Sequence, residues 1–367
     1  MSRDSLPNWY PENPPIYDIH KTYLDNALHG PFFKGEPPAR IFPPKSEWID
    51  FLDVKIASRL GVPAGPLLTA NWIKLAANLG FDVVTYKTIR SRQHPAHPLP
   101  NMIYVDTHGS TNVEGEEEKR AAQTALLPSD IEQLAVTNSF GMPSMAPDFL
   151  MQDIARANSY LKAGQVMIVS VVGTPRPNED FRDDFVQAAR FAKEAGAKII
   201  EANFSCPNVE KSEGCLYMSP QTVLDIASAL VKAIHPTPLI LKMGVFSNEK
   251  QMRDVLIASA KAGVRAVEGI NSVSMRVVNE KKEPALGQSR LTSGICGGPI
   301  RQAALHFIRQ AAQINKKEKL GLTLIGCGGI TAPAHFDHFL EAGAEVAMSA
   351  TGMMWDPYLA LKYHQSR

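Results

Sequence analysis

The stretch that decides the fold is residues 166–203, VMIVSVVGTPRPNEDFRDDFVQAARFAKEAGAKIIEAN. It opens with VMIVSVV, an apolar, β-branched run without polar alternation, the pattern of a strand buried on both faces. The Gly-Thr-Pro-Arg-Pro segment then breaks the strand. Asn178 stands where a side chain can cap a helix. Phe181, Phe185, Ala188, Ala189 and Ala192 recur at helical spacing and give that helix one apolar face, and Gly196 ends it. KIIEAN, residues 198–203, reads as the next strand.

The same alternation runs outward in both directions. Downstream, Ser219-Pro220 is a cap and first turn, with Val223, Ile226, Ala227, Leu230 and Ile234 on the apolar face that follows. Residues 239–242 form a strand. Met252, Val255, Leu256 and Ser259 mark a helix stopped by Gly263, and residues 266–270, 322–325 and 345–349 supply later strands. Upstream, residues 61–64 and 83–87 give two more. Eight such βα units predict an α/β fold, a TIM (β/α)8 barrel, with a doubly wound open sheet as the alternative. Residues 88–165 and 274–297 interrupt the rhythm and are expected to be long βα-loop insertions at the rim where barrels do their chemistry.

Nine of the 27 prolines fall in the first 50 residues. That density predicts an extended arm over residues 1–53 ahead of a barrel over 54–367. Trp9, Tyr10, Tyr17, Tyr23, Phe32 and Phe33 make the arm adhesive, so it should pack on the barrel or on a second subunit. The chain's 38 Lys and Arg balance 37 Asp and Glu, which gives no electrostatic reason for nucleic acid or an anionic membrane as partner. The four cysteines form no CxxC pair, so zinc is not expected and reduced thiols in the cytoplasm are. No apolar run of about 18 residues predicts a membrane span.

Candidate chemistry gathers at the inferred strand ends. Residues 201–208, EANFSCPN, place Asn203, Cys206 and Asn208 on a Pro-fixed loop after a strand. Amides there suit a planar ligand with alternating donors and acceptors, and a thiol can carry a proton; the plain alternative is a turn with an inert cysteine. Asn138, in TNSFGMP, and Asn271-Ser272 lie in other loops, where asparagine is commonly a turn residue. Lys87 and Lys242 each close an apolar strand, either as snorkelling charges or as cations at a flavin's pyrimidine edge. Gly297-Gly298 before Pro299, and Gly326-Cys327-Gly328-Gly329 after a strand, can offer backbone amides to a phosphate, with Thr331 able to cap the next helix. No GxGxxG opens a βαβ unit, which argues for one terminal phosphate.

Together EANFSCPN, TNSFGMP, INS and GCGGI resemble, in the same order, segments of the dihydroorotate dehydrogenases, from about residue 60 to the C-terminus. The resemblance implies FMN-dependent oxidation of dihydroorotate to orotate, with Cys206 removing the C5 proton while hydride leaves C6. It implies a substrate cage of Lys87, Asn138, Asn203, Asn208, Asn271 and Ser272. It implies flavin contacts from Ala64, Gly65, Lys87, Thr88, Asn138, Asn203 and Lys242, and phosphate contacts from Gly297, Gly298, Cys327, Gly328, Gly329, Ala350 and Thr351. Cysteine as base is similar to the family's soluble class, for which a homodimer is expected. The electron acceptor would be fumarate, or NAD through a separate iron–sulfur subunit, since no cluster-type cysteine spacing occurs here. The pyrimidine-reducing domain of dihydropyrimidine dehydrogenase carries a similar set. A flavin-dependent reductase of another pyrimidine or cyclic imide is therefore the enzyme alternative, and an FMN-binding barrel without catalysis the non-enzyme one.

Two departures stand out. Asn101 follows Pro100 where the family has arginine, and Ala350-Thr351 replaces a glycine-threonine pair. If the loop of Asn101 is a lid, a fixed cation is missing from its tip. Carboxylated substrates should then bind less tightly, unless Arg90, Arg92 or Lys119 stands in.

Overall fold

The computed structural model describes residues 16–107, 120–205 and 215–367. Eight parallel strands close into a barrel in chain order: β1 (Leu60–Val62), β2 (Val83–Ile89), β3 (Val166–Val171), β4 (Ile199–Asn203), β5 (Leu239–Met243), β6 (Ala266–Gly269), β7 (Thr323–Cys327) and β8 (Val346–Met348). All eight lie where the sequence pattern puts them, and the closed barrel replaces the open-sheet alternative.

Alternation along each strand sorts its side chains. Val84, Met167, Val169, Ile200, Leu241 and Val267 face the helices in the outer core. Val83, Ile168, Ile199, Ile240, Ala266, Ile325 and Val346 form a separate cluster inside the barrel. One step further along the inner face the residues turn polar, to Thr85, Ser170, Glu201, Lys242 and Glu268, all buried. The barrel is therefore packed with hydrocarbon below and floored with polar groups above.

The helices follow their local signals with two corrections. Helix Pro220–Ile234 is capped by Ser219, whose Oγ accepts from the Thr222 N–H at 3.2 Å, and buries the five predicted residues. Helix Glu249–Lys261 buries Met252, Val255, Leu256 and Ser259. Helix Phe181–Glu194 is capped by Asp180, which accepts from the Arg182 N–H at 2.8 Å. Asn178 instead takes a left-handed conformation, φ 65°, in the turn before it. Helix Pro333–Glu341 starts from Ala332, not from Thr331. There His335 Nδ1 reaches back to accept from the N–H groups of Thr331 at 3.2 Å and Ala332 at 3.1 Å.

The two insertions are not separate loops. Strands Met102–Asp106, Arg120–Gln123 and Ala135–Asn138 from the first pair with Val273–Val278 and Thr292–Gly297 from the second, closing a small five-stranded barrel above the mouth. Thr137 Oγ1 donates to the Gly294 carbonyl at 3.0 Å across 157 residues of chain. Below the barrel, a hairpin of Ile49–Phe51 and Val54–Ile56 seals the bottom with Phe51, Leu52 and Ile56. The described part of the arm packs on the barrel: the Ile16 N–H donates to the Met354 carbonyl at 3.2 Å, and Arg40 pairs with buried Asp82. Among the described residues, no helix is long and apolar enough to cross a membrane, and no cluster of His, Cys, Asp or Glu could hold a metal ion.

Candidate functional site

A cleft of about 1210 Å³, its open mouth included, lies between the polar floor and the small upper sheet. Ala64 and Gly65 line it from the turn after β1, and Lys87 and Thr88 from the end of β2. Asn203, Lys242, Asn271 and Ser272 line it from β4, β5 and the segment after β6, and Asn138 from the upper sheet. Gly297, Cys327, Gly328, Gly329, Ala350 and Thr351 close the far side. Gly298 does not line it. Cys206 and Asn208 lie outside the described residues, as does Lys119.

The amides are held in place by one another. Asn271 Nδ2 donates to Asn203 Oδ1 at 3.4 Å and to the Ser205 carbonyl, while Asn203 Oδ1 also accepts from the Ser205 N–H at 3.1 Å. Asn271 Oδ1 takes the Ser272 N–H at 2.8 Å. Asn138 comes down from the upper sheet, its Nδ2 3.5 Å from Cys296 Sγ and its carbonyl accepting from Ser293 Oγ at 2.6 Å. Three asparagines from three segments thus meet over one floor.

Lys242 is buried and paired with Glu268. Burial opposes its charge, but Cys327, Glu268 and Glu201, where ionised, more than restore it and hold the ammonium above the ordinary lysine range. Burial pushes the Cys327 thiol up to about 12 and the Cys296 thiol up to about 11, so neither is an anion near neutral pH. Cys296 was not picked out by sequence reasoning, nor were Glu201 and Tyr17, which line the cleft with it. The carboxylate could have been found: Glu201 sits two residues before Asn203, on the same inward face of the strand.

The glycine turns owe their residue type to more than a ligand. A Cβ on Gly298 would lie 1.7 Å from the Glu132 carbonyl oxygen, and one on Gly297 2.0 Å from that of Leu134. Gly328 and Gly329 have φ of 128° and 76° and press against Ala304 and Arg301. Gly65 differs: its φ is 140°, and a Cβ there would meet nothing within 4 Å, because it would stand in the cleft.

Asn101 is not at the tip of a lid. It is buried, with Nδ2 donating to the carbonyls of His97 at 2.9 Å and Pro98 at 3.1 Å, and so it closes the turn it sits in. Of the stand-in cations proposed for it, the two among the described residues are engaged elsewhere. Arg90 is buried against the carbonyls of Met142 and Gly173, and Arg92 pairs with Glu179. The base that reaches this loop is Arg290 of the second insertion, donating to the carbonyls of Pro100 at 2.9 Å and Ser139 at 3.3 Å.

Residues 101–365 match the family model described as dihydroorotate dehydrogenase. The chain belongs to the dihydroorotate dehydrogenase family. It is 49% identical over 366 residues to the dihydroorotate dehydrogenase of Dictyostelium discoideum, covering 97% of this chain and 98% of that one. It is 29% identical over 177 residues to dihydroorotate dehydrogenase A (fumarate) of Limosilactobacillus reuteri, covering 48% of this chain and 54% of that one. With the catalytic subunit of dihydroorotate dehydrogenase B (NAD(+)) of Brachyspira hyodysenteriae the identity is 24% over 269 residues, 71% and 81% of the two chains.

A flavin is general to the dihydroorotate dehydrogenases, and the cleft fits one. Its lining combines apolar walls from Pro63, Pro66, Leu68 and Ile270 with a few convergent polar groups, as a small-molecule site does. Gly65 leaves one wall bare where a flat ring needs close approach. Tyr17 lines the cleft, and its hydroxyl is buried without a partner among the described residues.

Proposed function

We propose that this chain binds FMN and oxidises dihydroorotate to orotate, the reading that best fits the convergence of Lys87, Lys242, Asn138, Asn203 and Asn271 on one cleft at the strand ends. FMN, when bound, would supply the hydride acceptor. Gly297, Gly328, Gly329 and Thr351 would hold its phosphate, and Ala64, Gly65, Thr88 and Lys242 its ring. The asparagine cage orients the substrate ring, and Lys87 gives a cation at its edge. Orientation of this kind accounts for several kcal/mol of barrier lowering.

Cys206 is the base in this reading. A thiol reaches its anion near a reference pKa of ~8.5, far below that of a serine hydroxyl. Cys327 and Cys296 are poor substitutes, since burial keeps both as neutral thiols. Residues 1–53 serve as the arm and 54–367 as the catalytic barrel. We place the enzyme in the cytoplasm as a homodimer, reoxidised by fumarate or by NAD through a separate iron–sulfur subunit.

The test is anaerobic flavin reduction. The cofactor is released by denaturation and identified by mass, and the holoenzyme is mixed with dihydroorotate and, separately, with dihydrouracil. FMN by mass and fast bleaching by dihydroorotate are expected, with Cys206→Ser slowing the bleaching by about 10²–10⁴-fold. Bleaching by dihydrouracil alone would move the chain to the pyrimidine reductases, and a flavin reduced by neither would leave a binding barrel. Reoxidation rates with fumarate and with NAD then separate the two acceptors.

A further inference from the structure

The formal charges under the cleft do not balance. Glu201 on β4 and Glu268 on β6 are both completely buried, and β5 between them supplies one ammonium, Lys242. Lys242 Nζ donates to Glu268 Oε1. Glu201 Oε1 accepts from Ser170 Oγ at 2.6 Å, and Ser170 Oγ lies 2.9 Å from Thr88 Oγ1. The other two oxygens, Glu201 Oε2 and Glu268 Oε2, are buried with no donor among the described residues. Both side chains are buried inside the barrel on the two strands that flank β5, one on either side of Lys242.

If both acids were ionised they could only accept. Two buried oxygens would stay orphaned, and one negative charge would be left in excess in a low dielectric. One proton removes both faults. It makes one carboxyl a donor to the other and brings the floor to neutrality with Lys242.

We propose that Glu201 and Glu268 hold a single proton between them, and that this acid pair is a positioning element that fixes the charge of the floor under the redox group. The inference rests on the flavin reading of the cleft. Burial first, and the Glu201 carboxylate after it, raise Glu268 well above the usual carboxylate range in spite of Lys242. The other titratable groups facing the pair are Cys327 from β7, which stays a neutral thiol, and Lys87, further along β2. Strands β3, β1 and β8 add no titratable side chain to the floor, β3 contributing the hydroxyl of Ser170. Negative charge placed in the cleft by reduction strengthens the pair's hold on its proton. On the alkaline side of neutrality, reduction therefore draws one further proton from solvent into the pair.

The experiment has two arms. Infrared spectra of the protein without flavin, with and without isotope-labelled glutamate, should contain a protonated carboxyl band at pH 7 that is absent from both Glu201→Gln and Glu268→Gln. A wild type without the band, or a band that survives in either variant, overturns the shared proton. Should a variant not fold, the wild-type band must itself fade as pH rises above neutrality; a band unchanged to the end of the alkaline range overturns it equally. The second arm follows the flavin midpoint potential against pH. The wild type should gain a slope of one proton per two electrons, about 30 mV per pH unit, on the alkaline side, and both variants should lack it. Equal slopes overturn the role in positioning, which a purely structural pair would also leave flat. A chain that binds no flavin overturns the functional reading instead, while the infrared arm still decides the proton.

Discussion

The floor and the roof of the cleft are both small closed sheets, yet they are built on opposite principles. In the floor each strand pairs with its neighbours in chain order, through helices that the sequence announces one by one. In the roof, strands from residues 102–138 pair with strands from 273–297, and hydrogen bonds such as Ser293 Oγ to the Asn138 carbonyl span 155 residues. The floor stands on the barrel's own hydrocarbon. The roof is fastened to it by a few specific contacts, among them Glu132 with Arg301 and His335. The cleft-lining amides are divided between the two, Asn203 and Asn271 below and Asn138 above. Damage to the floor should therefore cost stability, and damage to the roof should mainly cost ligand affinity.

The largest effect belongs to Lys242→Met. It removes the partner of Glu268 and leaves two carboxyl groups buried with no cation between them. Breaking a buried pair from one side costs about 3–5 kcal/mol, so urea denaturation should show a loss of that order. Adding Glu268→Leu should return much of it, because replacing both partners by packed hydrocarbon is often neutral. A single variant as stable as the wild type would mean that the floor does not carry the load assigned to it.

Gly298→Ala tests the roof. The new methyl group would meet the Glu132 carbonyl, backbone against backbone, so the segment 131–134 must shift. Overpacking of this kind costs about 1–3 kcal/mol. The flavin dissociation constant should rise by tenfold or more, with only a few degrees lost in Tm. An unchanged dissociation constant with a large fall in Tm would reverse the comparison.

Asn101→Ala should cost about 0.5–1.5 kcal/mol, since the part-buried turn loses the donor to the carbonyls of His97 and Pro98. The same geometry predicts that Asn101→Arg destabilises the roof and does not tighten dihydroorotate relative to dihydrouracil. A selective gain in carboxylate affinity would restore the lid reading. What the sequence conveyed and what it hid divide along the same line as floor and roof. Strands such as VMIVSV carry enough β-branched hydrocarbon to be seen alone. TSGICG and RAAQ do not, because their partners lie far along the chain and their stability comes from pairing. Asn203 and Asn271, which line the cleft, could be singled out because they stand at the ends of strands legible in the sequence. Glu201 and Glu268 were hidden because a carboxylate inside an apolar strand looks like part of the strand until the two-residue alternation is followed inward. Asn178 and Asp180 are both good caps two residues apart, and only the backbone decided between them.

The smallest effect is expected at the fastening itself, Glu132→Gln. Glu132 Oε2 accepts from Arg301 Nη2 at 2.7 Å, and Oε1 lies 3.1 Å from His335 Nε2. His335 Nδ1 already accepts two backbone N–H groups, so Nε2 carries the ring proton and donates to the carboxylate. The hydrogen bonds from Arg301 and His335 lower the pKa of Glu132. Burial, followed by the Arg301 charge, lowers that of His335. Both groups are depressed, so the stability they give is present above their unfolded pKa values and is lost as pH falls through the folded ones. The Glu132 side chain is 48% exposed, and solvent screening keeps the pair to about 0.2–1 kcal/mol. Glu132→Gln keeps an acceptor for His335 but removes the charge facing Arg301. At neutral pH its Tm should lie a degree or two below the wild type. As pH falls below ~4, the reference carboxylate range, the wild-type carboxylate takes up a proton and the two curves should meet. A gap that stays constant into acid would show that the contact works by shape alone and that the roof is not held down by charge.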